Sequence, residues 1–186
     1  GSPRLAIRPY PADWASEHRP PGGPLLLIRP VRGDDEDAIR AMLKRVAPED
    51  IRRRFLAPIS EFSHAMLARL TQLDYARAMA FVALEPLSGD ALAVVRIAGD
   101  ANHEKAEFAI LVRTDHKGGG LGTALMKTIL AWARADGYAE LFGRTLSENA
   151  PMIQLAREFG FAITPDSREA GIQVMTLSLR GNDAGL

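Results

Sequence analysis

The sequence predicts a mixed α/β domain, a mostly antiparallel central sheet flanked by helices. Three observations predict it. Between Ala78 and Arg113, apolar runs are separated by turns too short for a crossover, so those strands run antiparallel. The run Phe108 to Val112 enters a glycine-rich turn that leaves as a helical pattern, with Leu121, Leu125, Ile129 and Trp132 at one-turn spacing. Strand, helix and two strands then complete the pattern. This order excludes a purely parallel doubly wound sheet.

The chain has 186 residues, enough for one domain with a substantial core. Lys+Arg and Asp+Glu both number 23, so net charge argues neither for nor against nucleic acid, and no nucleic-acid partner is expected. Cysteine is absent, which excludes a cysteine nucleophile, a thiolate metal site and a disulfide framework. No apolar run is long enough to span a bilayer. A cytoplasmic protein without membrane contact is expected. Gly1-Ser2 reads as a tag remnant, and the chain as a piece of a longer protein.

Taken in order, Leu5 to Pro11 is an expected edge strand, confined there by its prolines, and residues 11–24 read as a linker or surface loop. Leu25 to Val31 is a buried strand. Asp34 is the expected N-cap of a helix whose acidic first turn, Asp35 to Asp37, suits the positive end of the dipole. Ile39, Met42, Leu43 and Val46 form its apolar face. A second helix begins at Pro48 and carries Arg52, Arg53 and Arg54, and a third is capped by Ser63. Strands are expected at Ala78–Glu85, Ala91–Ile97 and Lys105–Arg113, the main helix over 120–136 with Gly137 as its stop, and a strand at Leu141–Leu146. Ser147 is the expected cap of the next helix, which has Pro151 in its first turn and ends at Gly160. Phe161–Ile163 and Ile172–Leu179 are the last strands, and the tail from Gly181 reads as frayed.

The turn between Phe108–Val112 and the main helix carries the chemistry. Its glycines let the backbone turn tightly, and the first amides of a helix lie at the positive end of its dipole without helical partners. The combination is a seat for phosphate or pyrophosphate. A P-loop would need a lysine after the last glycine, where Thr123 stands, and a dinucleotide fingerprint would need a glycine at 123. Lys117-Gly118-Gly119-Gly120-Leu121-Gly122 instead matches R/Q-x-x-G-x-G/A in all but its first place. A ligand-free glycine turn is the plain alternative.

That last pattern is the coenzyme A loop of the GNAT N-acetyltransferases, which the sequence resembles over roughly residues 25–180. Two further segments carry the resemblance: the strand Ala106 to Arg113, and Asn149 to Phe161, with an asparagine at a helix start and Gly160-Phe161 at its end. Leu27 to Pro30, Pro48 to Phe55 and Ala106 to Ala109 look more narrowly like the bacterial protein lysine acetyltransferases that modify acyl-CoA synthetases, in which this domain often follows a synthetase-like region. The resemblance implies a GNAT fold whose sheet splays at the acetyl-CoA site, with residues 1–24 as linker, 25–180 as the domain and 181–186 as tail. It implies that main-chain groups of Ile110 and Val112 pair with the pantetheine arm, the Val112 N–H facing the thioester oxygen. It further implies that Lys117, Gly118, Gly119, Gly120, Leu121, Gly122 and Thr123 hold the pyrophosphate, and that Asn149 orders its turn or the arm. Glu107 is the implied general base, its pKa raised by burial, against the plain reading of an edge-strand glutamate paired with Lys105 or an arginine. Ala156 stands where many relatives have a tyrosine that protonates the leaving thiolate, so the acid is left open. No metal is expected; His18, His64, His103 and His116 read as surface residues. The implied reaction is direct acetyl transfer from acetyl-CoA to a protein lysine, with a small amine, a protein N-terminus or a non-catalytic acetyl-CoA sensor as alternatives.

Overall fold

A computed structural model of the chain describes residues 12–46, 78–113 and 120–180. The expectations for Leu5–Pro11, the helices after Pro48 and Ser63, the three arginines, Lys117 to Gly119, and the tail lie outside these residues.

The described strands form one sheet of eight in the order β1-β2-β3-β4-β5-β6-β8-β7. They are β1 (Ser16–His18), β2 (Leu26–Pro30), β3 (Ala78–Leu84), β4 (Ala91–Gly99), β5 (Lys105–Val112), β6 (Glu140–Leu146), β7 (Ala162–Pro165) and β8 (Ile172–Ser178). Every neighbouring pair is antiparallel except β5 and β6, which run parallel. That one pair needs a crossover, and α2 (Leu121–Ala135) supplies it. The mixed, mostly antiparallel sheet expected from the short turns is thus present.

The two faces of the sheet carry different cores. On one, α2 buries Leu121, Leu125, Met126, Ile129, Leu130, Trp132 and Ala133. These pack with Phe81, Val95, Ile97, Phe108 and Leu141 from the strands and with Ala156 of α3 (Ala150–Glu158). On the other face, α1 (Glu36–Leu43) sets Ile39, Met42 and Leu43 against Val31, Ala80, Val82, Val94 and Leu111. Side chains alternate along a strand, so Phe108, Ile110 and Val112 share the α2 face while Glu107 and Leu111 share the α1 face.

Three local expectations are corrected. Residues 16–18 are not linker: Ser16, Glu17 and His18 pair with Ile28, Leu27 and Leu26 as the edge of the sheet. Asp34 does not cap α1. Asp35 occupies the N-cap position, and its carboxylate turns away to take both guanidinium nitrogens of buried Arg29 at 2.8 Å and the Arg32 N–H at 2.6 Å. Burial works to raise the Asp35 pKa, but the bonds from Arg29 and Arg32 outweigh it and hold the carboxyl below its ordinary range. Finally, Asn149 rather than Ser147 caps α3. Its Oδ1 accepts the Met152 N–H at 3.3 Å, while the Ser147 hydroxyl accepts from Gln173 across the sheet.

Candidate active site

The sheet opens between β5 and β6. The two strands pair only at Lys105–Glu140, Ala106–Leu141 and Glu107–Phe142. Beyond Glu107, β5 continues to Val112 and β6 to Leu146 with no ladder between them. Phe108 marks the apex on the α2 face. A Cβ on Gly143 of β6 would lie 2.8 Å from its ring, so glycine there leaves the ring its space, and Phe161 meets that ring edge-on.

Strand alternation fixes what lines the gap. The Arg113 N–H bonds the Leu92 carbonyl of the residue before Ala93, on the β4 side. Main-chain groups of successive residues alternate sides, so those of Leu111 also face β4 and those of Ile110 and Val112 face the gap. Opposite them, the Ser147 N–H bonds the Gly171 carbonyl on the β8 side, which leaves the main chain of Arg144 facing the same gap, while the Leu146 carbonyl accepts the Asn149 N–H. Donors and acceptors of an open sheet edge are thus presented inside the sheet, where an extended polar ligand can bond them.

The gap leads to the start of α2. Gly120 sits at the N-cap with φ 79° and ψ 6°, a left-handed conformation that glycine adopts without strain. The first helical bond runs from the Ala124 N–H to the Gly120 carbonyl at 3.0 Å, so the amides of Leu121, Gly122 and Thr123 have no helical acceptor. Among the described residues no side chain caps them, and the first turn holds no acidic residue. An anion is the ligand such an end attracts.

Glu107 is exposed, on the sheet face opposite α2, at the last paired position before the gap opens. The expected burial is therefore corrected: α1 covers β2, β3 and β4 and reaches β5 at Leu111, leaving Glu107 beyond its edge. The edge-strand alternative is corrected too, since β5 lies between β4 and β6, and Lys105 stands 3.8 Å from Glu140 rather than pairing with Glu107. Asn149 lies just past the end of β6. Its Nδ2 donates to the Thr145 hydroxyl at 3.0 Å while its oxygen caps α3, so its side chain joins β6 to that helix. Ala156 is fully buried. His18 and His103 are partly exposed. His103 stacks on Tyr138 at 4.0 Å and lies 2.7 Å from the Asp136 carbonyl, at the end of the sheet away from the gap. Among the described residues no cluster of acidic residues and histidines is placed to hold a metal.

Comparison with known proteins agrees with this geometry. The acetyltransferase (GNAT) family model matches residues 46–161. Acetyltransferase PA5475 of Pseudomonas aeruginosa is 31% identical over 156 residues, 83% of this chain and 84% of that protein. Acetyltransferase Pat of Mycolicibacterium smegmatis is 29% identical over 140 residues, 74% of this chain but only 41% of Pat, so the chain matches less than half of that relative. The GNAT domain of S. lividans PAT superposes with a TM-score of 0.84 at 27% identity, covering 91% of this chain and 99% of that domain. YncA of Salmonella typhimurium, solved with its cofactor acetyl-CoA, shares the fold with a TM-score of 0.68 at 20% identity, covering 83% of this chain and 94% of YncA. From its matched residues, its relatives and the opening in its sheet, the chain belongs to the GNAT family of acetyltransferases.

Proposed function

We propose that this acetyltransferase moves the acetyl group of acetyl-CoA to a lysine side chain of a protein, an acyl-CoA synthetase, by direct attack in a ternary complex in the cytoplasm. The observation that carries the co-substrate half is the unpaired main chain of Ile110 and Val112 leading to the uncapped start of α2. An extended arm with amide groups fits the first, and a pyrophosphate the second. Lys117 and the glycines 118–119 complete that seat in this reading, Lys117 as a point charge in place of the planar fork of arginine.

An arm running back from α2 passes Val112 before Ile110. Along an extended strand Val112 lies about 17 Å from Glu107 and Ile110 about 10 Å. The thioester therefore belongs nearer Ile110, whose N–H, in place of that of Val112, stabilises the developing oxyanion. Glu107 acts as the base from the face opposite α2, where an incoming amine has open access. Its exposure means that position rather than desolvation makes it useful. With Ala156 buried and lacking a hydroxyl, water protonates the leaving thiolate, whose basicity is low. Asn149 serves by holding β6 and α3 in place at the side of the arm.

The acceptor half is supported by the segments at residues 27–30, 48–55 and 106–109 that resemble protein lysine acetyltransferases, and by the likeness to the PAT domain across 91% of the chain. The test is intact-mass analysis of candidate acyl-CoA synthetases, free lysine, polyamines and aminoglycosides after incubation with acetyl-CoA. Acetylation of a folded synthetase with free lysine left almost untouched is expected, because a remote surface supplies much of the binding energy. Efficient turnover of a polyamine or aminoglycoside would overturn the acceptor assignment, and no transfer to any acceptor despite coenzyme A binding would mark the domain as a sensor.

A further inference from the structure

We infer that Phe142 is a specificity-determining residue for the acceptor, its ring forming an apolar wall beside Glu107 on which the methylene stem of a lysine lies while the amine at its end meets the carboxylate. The inference rests on the acceptor reading above and deepens it. It gives a reason for taking an amine on a long apolar stem in preference to the α-amine of a protein N-terminus.

Register fixes the placement. Phe142 of β6 is the partner of Glu107, in the last pair of the parallel ladder before the gap opens. Neighbouring strands lie about 4.8 Å apart, so the two residues stand side by side. A Cβ on Gly143 would meet the Phe108 ring, which puts position 143 on the α2 face and Phe142 on the opposite face with Glu107. The apex of the gap therefore carries an aromatic ring on each face. Phe108 is buried and meets Phe161 edge-on. Phe142 is partly exposed, and it packs against neither of the two cores that the described residues form.

The surroundings suit a lysine. On β4 the residue in register with Glu107 is Ala98, and the next residue on this face of β5 is Ala109. Both are small, so the floor around Glu107 is low except on the β6 side, where the ring stands. Among the described residues no hydrogen bond or ion pair engages the Glu107 carboxylate, and Lys105 is drawn to Glu140 instead. A carboxylate one strand spacing from an apolar ring matches the two parts of a lysine, a cationic end and an apolar stem. An α-amine has no such stem. A peptide carbonyl stands close behind it, and setting that carbonyl against the ring removes water without replacing its hydrogen bond.

The experiment measures acceptor KM, kcat and coenzyme A affinity for wild type, Phe142→Ala, Phe142→Leu and Phe142→Asn, with the acyl-CoA synthetase that the mass analysis above shows to be acetylated. Phe142→Ala is expected to raise the acceptor KM roughly tenfold, about the burial of two methylenes. Its kcat at saturating acceptor and its coenzyme A affinity stay near wild type, because the ring holds the stem equally before and during the reaction. Leucine and asparagine are similar in size but differ in polarity. Phe142→Leu should therefore keep the acceptor KM close to wild type, and Phe142→Asn should raise it as Phe142→Ala does. An unchanged acceptor KM in Phe142→Ala overturns the inference, and so does an equal KM in Phe142→Leu and Phe142→Asn. A parallel loss of coenzyme A affinity makes Phe142 a packing residue and overturns it as well. Wild-type protein that acetylates no lysine of any synthetase overturns the acceptor reading itself, and with it this inference.

Discussion

Replacing Glu107 by glutamine removes a base while keeping the size and hydrogen-bonding shape of the side chain. A lysine amine has a pKa of about 10.4, so at pH 7 only about one in 2,500 arrives neutral and able to attack. A positioned base contributes roughly 10²–10⁴-fold. Glu107 is exposed at the end of the β5–β6 ladder, so water still competes for its carboxylate and the low end applies, a loss of about 100-fold at pH 7. From pH 7 to pH 9 the neutral fraction of the amine rises about 100-fold, so the variant should regain most of its deficit and the two profiles should converge. The assay is a pair of pH–rate profiles on one protein acceptor, with coenzyme A affinity measured alongside. Because the side chain lies on the face opposite Ile110 and Val112, that affinity should stay within a few-fold of wild type. Near-wild-type turnover at pH 7 would refute the base assignment, and loss of coenzyme A binding would make Glu107 a structural residue.

Asp35→Ala strands the buried Arg29 guanidinium without its carboxylate and should destabilise the fold by about 3–5 kcal/mol in chemical denaturation. Since the folded Asp35 pKa lies below its ordinary 3.8, the pair's contribution is complete above that value and is lost as pH falls through the folded one, so the gap between wild type and variant should shrink only in acid below about pH 4. Gly120→Asp sets a negative charge in the phosphate seat and should abolish the thermal shift caused by coenzyme A, whereas Gly120→Asn, equal in bulk and also tolerant of positive φ, should keep part of it; an unchanged shift in the aspartate variant would remove the seat from Gly120. Asn149→Ala removes the α3 cap and the bond to Thr145, and should cost about 1 kcal/mol of stability while changing coenzyme A affinity less than the Gly120 substitution does.

The elements that position the site were legible because their signals are local. Leu121, Leu125, Ile129 and Trp132 announce α2 by spacing alone, and the turns after Leu84 and Gly99 are too short for anything but antiparallel strands. What was missed depends on partners distant in sequence. Ser16-Glu17-His18 has no apolar alternation; it is a strand because Leu26 to Ile28 offers an edge to bond, and a polar edge strand is hard to tell from a loop. Asp34 and Asp35 lie side by side in sequence, and the choice falls to Arg29, whose guanidinium bonds the Asp35 carboxylate. Ser147 and Asn149 are also both good caps, and the register of β8 decides by taking Ser147 to Gln173. Glu107 was expected to be buried because its neighbours are apolar on both sides. Phe108 owes its burial to the α2 face, however, while on the Glu107 face α1 covers the other half of the sheet. The gap itself is invisible in sequence, since nothing in Ile110 or Arg144 says that their main chains do not meet; only the family resemblance anticipated it.

In the proposed binding mode acetyl-CoA lies along β5 in the opening after Glu107, and amide hydrogen exchange measured residue by residue by NMR reads it out. The N–H groups of Leu111 and Arg113 face β4 and should be protected with or without ligand. Those of Ile110 and Val112 face the gap and should exchange readily in the free protein, then slow at least tenfold when coenzyme A is added, with Leu121, Gly122 and Thr123 slowing alongside them. Coenzyme A that binds, as shown by a thermal shift, while leaving Ile110 and Val112 as exchangeable as before would rule out this binding mode.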